Sequence, residues 1–217
     1  MVELQGPEQE PRSGGTAKKL VVFLHGYGSS GDDLISLAPY WAPILPDAAF
    51  LSPNAPFPCE MAPHGYQWFG LENRDPQVKL GGVKAAAGIL DAYLDQQLAR
   101  FSLADRDLAL VGFSQGTMMA LHVAPRRAQP VAGIVGYSGA LIGGQELAGA
   151  IRSRPPILLV HGTADPMVPF EAMAQAAATL KAAQIEVDTE ARPGLPHSID
   201  EVGLQRGGAF LQRCLQD

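Results

Sequence analysis

The chain has 217 residues, of which 47% are hydrophobic, enough for one domain with its own core. Its formal net charge is −6 and its Lys and Arg residues are scattered, which argues against a nucleic-acid surface. Residues 1–19 lack the pattern of a signal peptide, and no apolar run approaches the ~20 residues of a membrane span, so we expect a cytoplasmic protein that is not integral to a membrane. Its two cysteines, Cys59 and Cys214, match no metal or redox spacing and are expected to be unpaired thiols.

Residues 1–17 mix Gly, Pro and charge without periodicity, which predicts a mobile arm or a poorly regular edge strand before a single domain over residues 18–217. Short apolar runs then alternate with helical patterns. The predicted strands are Leu20–His25, Ala49–Ser52, Leu108–Gly112, Val131–Ser138, Ile157–His161 and Ile185–Glu190. The predicted helices are Val78–Phe101, Gly116–Val123, Phe170–Ala183 and Ser198–Leu215. This order predicts an α/β fold with a mostly parallel central sheet and helices on both faces.

One serine carries the signature of a nucleophile. The pentapeptide Gly112-Phe113-Ser114-Gln115-Gly116 follows a predicted strand and opens a predicted helix, the context that the G-x-S-x-G motif requires. A sharp turn there exposes the serine hydroxyl, and glycines avoid the clashes that a Cβ would create. Ser114 is therefore the predicted nucleophile, although a serine that merely caps a helix would give the same pattern.

A serine nucleophile needs a base and an orienting acid, which follow it in the order Asp or Glu and then His in this type of fold. Asp165 lies in the loop after the strand Ile157–His161, and His197 lies in the loop before the last helix. They are the predicted acid and base. His161 is expected to be structural. Glu171 and Asp188 are the alternative acids.

An oxyanion hole needs two backbone amides, one of them from the residue after the nucleophile, here Gln115. The second comes from the loop after the first strand, where Tyr27 is the choice and Gly28 the alternative. The irregular segment over residues 49–76 is long enough to be functional. We expect Trp68 and Phe69 in it to line an acyl-binding cleft, with plain core packing as the alternative.

The motifs resemble those of the carboxylesterase and phospholipase branch of the α/β hydrolases, which includes acyl-protein thioesterases and small carboxylesterases. The similar segments are Phe23-Leu24-His25-Gly26-Tyr27-Gly28, Ser52-Pro53-Asn54-Ala55-Pro56, Trp68-Phe69, Gly112-Phe113-Ser114-Gln115-Gly116, the run from His161 to Pro169, and His197. The resemblance covers residues 19 to 213. It departs at Tyr27, where leucine is frequent, and over residues 57–67.

The resemblance implies an α/β-hydrolase fold without a large cap domain and a Ser114, Asp165 and His197 triad that needs no cofactor and no metal. It also implies hydrolysis of short- to medium-chain carboxylic esters or thioesters, with a small-molecule or lipid-like acyl ester as substrate. A homodimer is compatible with the sequence, which sets no oligomeric state. The competing hypotheses are a dienelactone-type hydrolase, which would carry cysteine at position 114, a peptidase, and a catalytically silent binding protein on the same fold.

Overall fold

The structure is a computed structural model that describes residues 3–73 and 75–216. Residues 1 and 2 of the predicted arm and residues 74 and 217 of the predicted domain lie outside the described residues. The strands are β1 (Glu8–Gln9), β2 (Lys19–Leu24), β3 (Ala48–Leu51), β4 (Phe57–Pro58), β5 (Tyr66–Gln67), β6 (Leu108–Phe113), β7 (Gly133–Tyr137), β8 (Ile157–Gly162) and β9 (Val187–Arg192). The helices are α1 (Gly31–Ile35), α2 (Ala38–Trp41), α3 (Pro76–Phe101), α4 (Gln115–Val123), α5 (Leu147–Ala150), α6 (Glu171–Ala182) and α7 (Glu201–Leu215).

In the described residues, a sheet of seven strands runs in the order β1-β3-β2-β6-β7-β8-β9. Every neighbouring pair is parallel except β1 with β3. The six longer strands overlap the six predicted ones, with ends that differ by at most two residues. The predicted α/β fold with a mostly parallel sheet is confirmed.

The two faces of the sheet are covered by different helices. In β2, Leu20 and Val22 belong to a buried cluster that includes residues of α3, α4 and α6. Val21 and Phe23, which point to the other face, belong to a cluster with residues of α1, α2 and α7. Because these strands are buried on both faces, they have no polar alternation in their sequences.

The N-terminal segment lies along one edge of the sheet. Glu8 pairs with Leu51 in β3, and the Glu8 carboxylate binds Arg100 at the end of α3. Leu4 is buried in the same core as the sheet. The described part of the N-terminal segment therefore packs against the sheet.

The order of connections changes direction at β2. The chain passes from β2 to its neighbour β3, and then crosses back to β6 on the other side of β2. Such a switch point opens a crevice at the carboxyl ends of the two strands. The loops after β2 and β6 therefore meet there, and a Cβ added to Gly26 would lie 3.3 Å from the Cβ of Ser114.

Candidate active site

Ser114 occupies the turn between β6 and α4 in a strained backbone conformation. Its φ is 54° and its ψ is −113°, a region that residues other than glycine rarely adopt. Its N–H donates a hydrogen bond of 2.9 Å to the Tyr137 carbonyl at the end of β7. The sheet thus holds the turn in place, and the serine stands at the carboxyl ends of the strands.

The glycines on either side of Ser114 have steric reasons. A Cβ on Gly112 would lie 2.5 Å from the Gly116 carbonyl carbon, because α4 begins so close behind the strand. A Cβ on Gly116 would overlap the Leu24 carbonyl oxygen at the end of β2. Both positions therefore exclude any side chain.

Asp165 and His197 form a hydrogen-bonded pair. Asp165 Oδ2 accepts from His197 Nδ1 at 2.7 Å, and Oδ1 accepts from the amides of Met167 at 2.8 Å and Val168 at 2.9 Å. Burial acts to raise the pKa of Asp165, but the His197 bond and the two amides outweigh it and hold that pKa below its ordinary value. The carboxylate is therefore ionised and fixed, and it selects the tautomer in which His197 Nε2 is free to accept a proton.

His161 supports the same carboxylate from behind. Its Nε2 lies 3.0 Å from the Val168 carbonyl oxygen and 3.2 Å from Asp165 Oδ2, and its side chain is buried. The two alternative acids lie elsewhere among the described contacts: Glu171 is the first residue of α6, and Asp188 pairs with Arg213.

His197 reaches the nucleophile turn through Phe113. The imidazole and the Phe113 ring have centroids 4.8 Å apart, and Phe113 is the residue immediately before Ser114. The Ser114 hydroxyl makes no hydrogen bond within residues 3–73 and 75–216, and catalytic hydrogen bonds are often long in the absence of substrate. The structure thus joins Asp165 to His197 directly, and His197 to Ser114 through the neighbouring ring.

The backbone amides near Ser114 distinguish Tyr27 from Gly28. The Gly28 N–H donates to the Tyr66 carbonyl at 2.9 Å and is therefore engaged. In the described part of the chain the Tyr27 N–H has no acceptor, and Gln115 is the first residue of α4, where N–H groups lack acceptors inside the helix. Two amides are thus available near the nucleophile, those of Tyr27 and Gln115.

Trp68 and Phe69 are not at the surface of a cleft. Their exposed fractions are 0% and 2%, and both belong to the main core cluster. Gly82 of α3 packs against Phe69, where a Cβ would lie 2.9 Å from the Phe69 Cβ. Such burial favours the alternative of core packing over the expectation that these rings line a cleft.

The side chain of Gln115 is a feature that the sequence reasoning missed. It is 1% exposed, and its amide binds the backbone of Trp68 and Phe69. Its partners lie 46 and 47 residues away in an irregular segment, so no local pattern could reveal them.

Two searches for other features gave negative results in the described part of the chain. Residues 3–73 and 75–216 contain no group of three or more His, Cys, Asp or Glu side chains placed to hold a metal ion. In the same ranges no helix combines the length and apolarity needed to cross a membrane.

Comparisons with known proteins agree with one another. Residues 11–215 match the family model described as Phospholipase/Carboxylesterase. An acyl-protein thioesterase 1 from Gibberella zeae is 26% identical over 212 residues, 90% of each chain. An acyl-protein thioesterase 1 from Schizosaccharomyces pombe is 32% identical over 161 residues, 69% of each chain.

Solved structures resemble this fold over almost its full length. The crystal structure of esterase PE8 has a TM-score of 0.95 and 41% identity, and the match covers 99% of this chain and 100% of the other. The carboxylesterase SOBER1 of Arabidopsis thaliana gives a TM-score of 0.81 and 28% identity, over 91% of this chain and 99% of the other.

Proposed function

Because the chain belongs to the phospholipase/carboxylesterase family, we propose that it is a serine carboxylesterase. This membership confirms the resemblance seen in its motifs. Its substrates are short- to medium-chain carboxylic esters, hydrolysed through an acyl-enzyme. The observation that carries the proposal is the strained Ser114 turn next to a His197 whose Nδ1 is held by Asp165 at 2.7 Å.

The first step forms the acyl-enzyme. His197 Nε2 accepts the Ser114 proton while Ser114 Oγ attacks the ester carbonyl carbon. The carbonyl oxygen gains the negative charge and accepts hydrogen bonds from the Tyr27 and Gln115 amides. The tetrahedral intermediate collapses as His197 returns the proton to the leaving alcohol, and the acyl group remains on Ser114.

The second step repeats the first with water. His197 takes a proton from the water as it attacks the acyl carbon, and then protonates Ser114 Oγ as the acid leaves. Asp165 stays ionised throughout and stabilises the imidazolium that forms twice in the cycle. No cofactor enters either step.

The test is hydrolysis of p-nitrophenyl acetate by the wild type and by Ser114→Ala. The variant should lose the activity and keep its circular dichroism spectrum, because only the hydroxyl is removed. Ser102→Ala is the matched control, since Ser102 also has a positive φ, 57°, but ends α3. Turnover by Ser114→Ala at the wild-type rate would overturn the proposal.

Thioester hydrolysis is the second candidate, favoured by the two relatives named acyl-protein thioesterase 1. The same serine attack would cleave an acyl–sulfur bond, with a thiol as the leaving group. A p-nitrophenyl ester series of increasing chain length, beside a lysophospholipid and an acyl-cysteine peptide, separates the substrate classes by kcat/KM.

We also propose that the enzyme acts in the cytoplasm. Both cysteines are free thiols, Cys59 buried and Cys214 partly so, as expected in a reducing compartment. A reporter fusion followed by cell fractionation tests this location.

A further inference from the structure

The backbone amides of Tyr27 and Gln115 belong to different loops, and their separation must suit one oxyanion. Tyr27 follows β2, whereas Gln115 opens α4. A misplacement of about 1 Å can cost catalysis on the order of 100-fold. The fold therefore needs something that holds the two loops in register, and the segment Tyr66–Phe69 makes contacts to both.

At its first end this segment is bonded to the Tyr27 loop. The Gly28 N–H donates to the Tyr66 carbonyl at 2.9 Å, and the Tyr66 N–H donates to the Ser29 carbonyl at 2.8 Å. Both bonds lie on the C-terminal side of Tyr27. The Trp68 indole N–H adds a third bond, donating to the His25 carbonyl at 3.0 Å.

His25 makes that third anchor rigid. Its imidazole Nε2 accepts from the Ala55 N–H at 2.9 Å, so the proton is on Nδ1, which lies 2.7 Å from the Gly26 carbonyl oxygen. Burial lowers the pKa of His25, more than the Gly26 bond and Asp33 raise it. The ring is therefore neutral, and both its nitrogens are engaged.

At its other end the segment is held by the Gln115 side chain. The Trp68 N–H donates to Gln115 Oε1 at 2.8 Å, and Gln115 Nε2 donates to the Phe69 carbonyl at 2.7 Å. The donor and acceptor pattern fixes the orientation of the amide. The residue that offers one oxyanion amide thus also grips, through its side chain, the segment that holds the other.

We propose that the Gln115 side chain is a positioning residue that sets the spacing of the two oxyanion amides by tying α4, through Trp68, to the Tyr27 loop. The proposal rests on the proposed function, because it assigns a role within the same acyl transfer. The side chain touches no reacting atom. Its effect acts through the amides of Tyr27 and Gln115.

Gln115→Met is the main test, since it keeps the length and the backbone amide but removes both side-chain bonds. We expect kcat for p-nitrophenyl acetate to fall by about 10- to 100-fold, which is no more than the fall caused by removing one oxyanion-hole donor. KM should stay within about 2-fold of the wild-type value. The affinity for a trifluoromethyl ketone, whose adduct with Ser114 carries an oxyanion, should fall in parallel with kcat. Gln97→Met is the matched control, because Gln97 is buried in α3 and its side-chain oxygen accepts from Arg100, away from the nucleophile turn, and it should keep wild-type kcat.

Gln115→Glu supplies a readout that a merely structural role would not change. A protonated carboxyl can accept from the Trp68 N–H and donate to the Phe69 carbonyl, whereas a carboxylate cannot donate. A buried Glu has a raised pKa, so the ratio of variant to wild-type kcat should rise as the pH falls from about 8 to about 6. If Gln115→Met does not fold, this ratio decides by itself.

Trp68→Phe tests the coupling, because it removes the indole bond to His25 and keeps a buried ring. The two substitutions break different bonds of the same connection, which runs from Gln115 through Trp68 to His25. The kcat of the Gln115→Met/Trp68→Phe double variant should therefore lie within about 2-fold of that of the slower single variant. Losses that multiply would overturn the coupling.

The positioning role would be overturned if Gln115→Met kept the wild-type kcat and ketone affinity, or if the kcat ratio for Gln115→Glu did not change with pH. The proposed function would stand in either case, as long as turnover depends on Ser114. A wild-type enzyme without Ser114-dependent turnover would overturn both.

Discussion

The Asp165 carboxylate accepts a 2.7 Å hydrogen bond from His197 across 32 residues of sequence. Its other oxygen is held by two backbone amides of its own loop. The carboxylate therefore has no freedom to turn away from the imidazole. This fixed pair, beside a serine in a strained turn, is the basis of the proposed hydrolase chemistry.

Asp165→Asn should lower kcat by about 10³- to 10⁴-fold, because an amide can donate to Nδ1 and favour the wrong tautomer of His197. Ester hydrolysis measured by stopped-flow or steady-state kinetics checks this. Asp188→Asn and Glu171→Gln are the controls, since neither side chain takes part in the pair, and both should keep wild-type kcat. If either control lost more kcat than Asp165→Asn does, that residue and not Asp165 would be the orienting acid.

Ser114→Gly should be more stable than Ser114→Ala, although both are inactive. Glycine adopts a φ of 54° without strain, whereas alanine keeps the strain of the native serine. The greater entropy of glycine in the unfolded chain offsets part of this relief of strain. The net gain in the free energy of unfolding is about 1 kcal/mol. Urea denaturation of the two variants measures it, and equal midpoints would mean that the turn stores no strain.

His122 should make the protein less stable as the pH falls below neutrality. Burial lowers its pKa from 6.5 to about 4, and Arg126 and Lys84 act in the same direction. Between these two pH values the unfolded chain binds a proton that the folded chain does not. The stability that the neutral His122 contributes is therefore fully present above pH 6.5 and is lost as the pH falls toward 4.

The free energy of unfolding lost through His122 over this pH range amounts to at most about 3 kcal/mol. His122→Met cannot titrate and should lose less stability than the wild type across this range in pH-dependent urea denaturation. Parallel curves for the two proteins would show that His122 does not contribute.

Phe69→Leu should act on stability and not on substrate choice. The ring is buried against α3, so the smaller side chain leaves a cavity and costs about 1–2 kcal/mol of unfolding free energy. The ratio of kcat/KM for p-nitrophenyl octanoate and acetate should stay at the wild-type value. A changed ratio at unchanged stability would restore the lining role that the sequence suggested.

Much of the fold follows from local sequence patterns. Strands such as Leu108–Phe113 are apolar on both faces, and helices such as Glu201–Leu215 carry apolar residues at helical spacing. The start of this helix was predicted three residues too early, at Ser198, because the Asp200 side chain caps it by accepting from the Gly203 N–H. The triad candidates follow from motif context and chain order. These features depend on neighbours in the sequence, which is why they could be predicted.

Other features depend on contacts between distant residues. The Pro- and Gly-rich composition of their segment predicts no regular element, yet Phe57–Pro58 and Tyr66–Gln67 form an antiparallel pair. Tyr66 also bonds to Gly28 and Ser29, which are distant in the sequence. The burial of Trp68 depends on α3 and on the Gln115 amide. No spacing in the sequence encodes such contacts.

The most direct test of the central claim is the site of covalent labelling by a fluorophosphonate. The probe should form a single adduct that peptide mass spectrometry places on Ser114, and labelling should vanish in Ser114→Ala and slow in Asp165→Asn. An adduct on another residue, or labelling of Ser114→Ala at the wild-type rate, would contradict the assignment of Ser114 as the nucleophile.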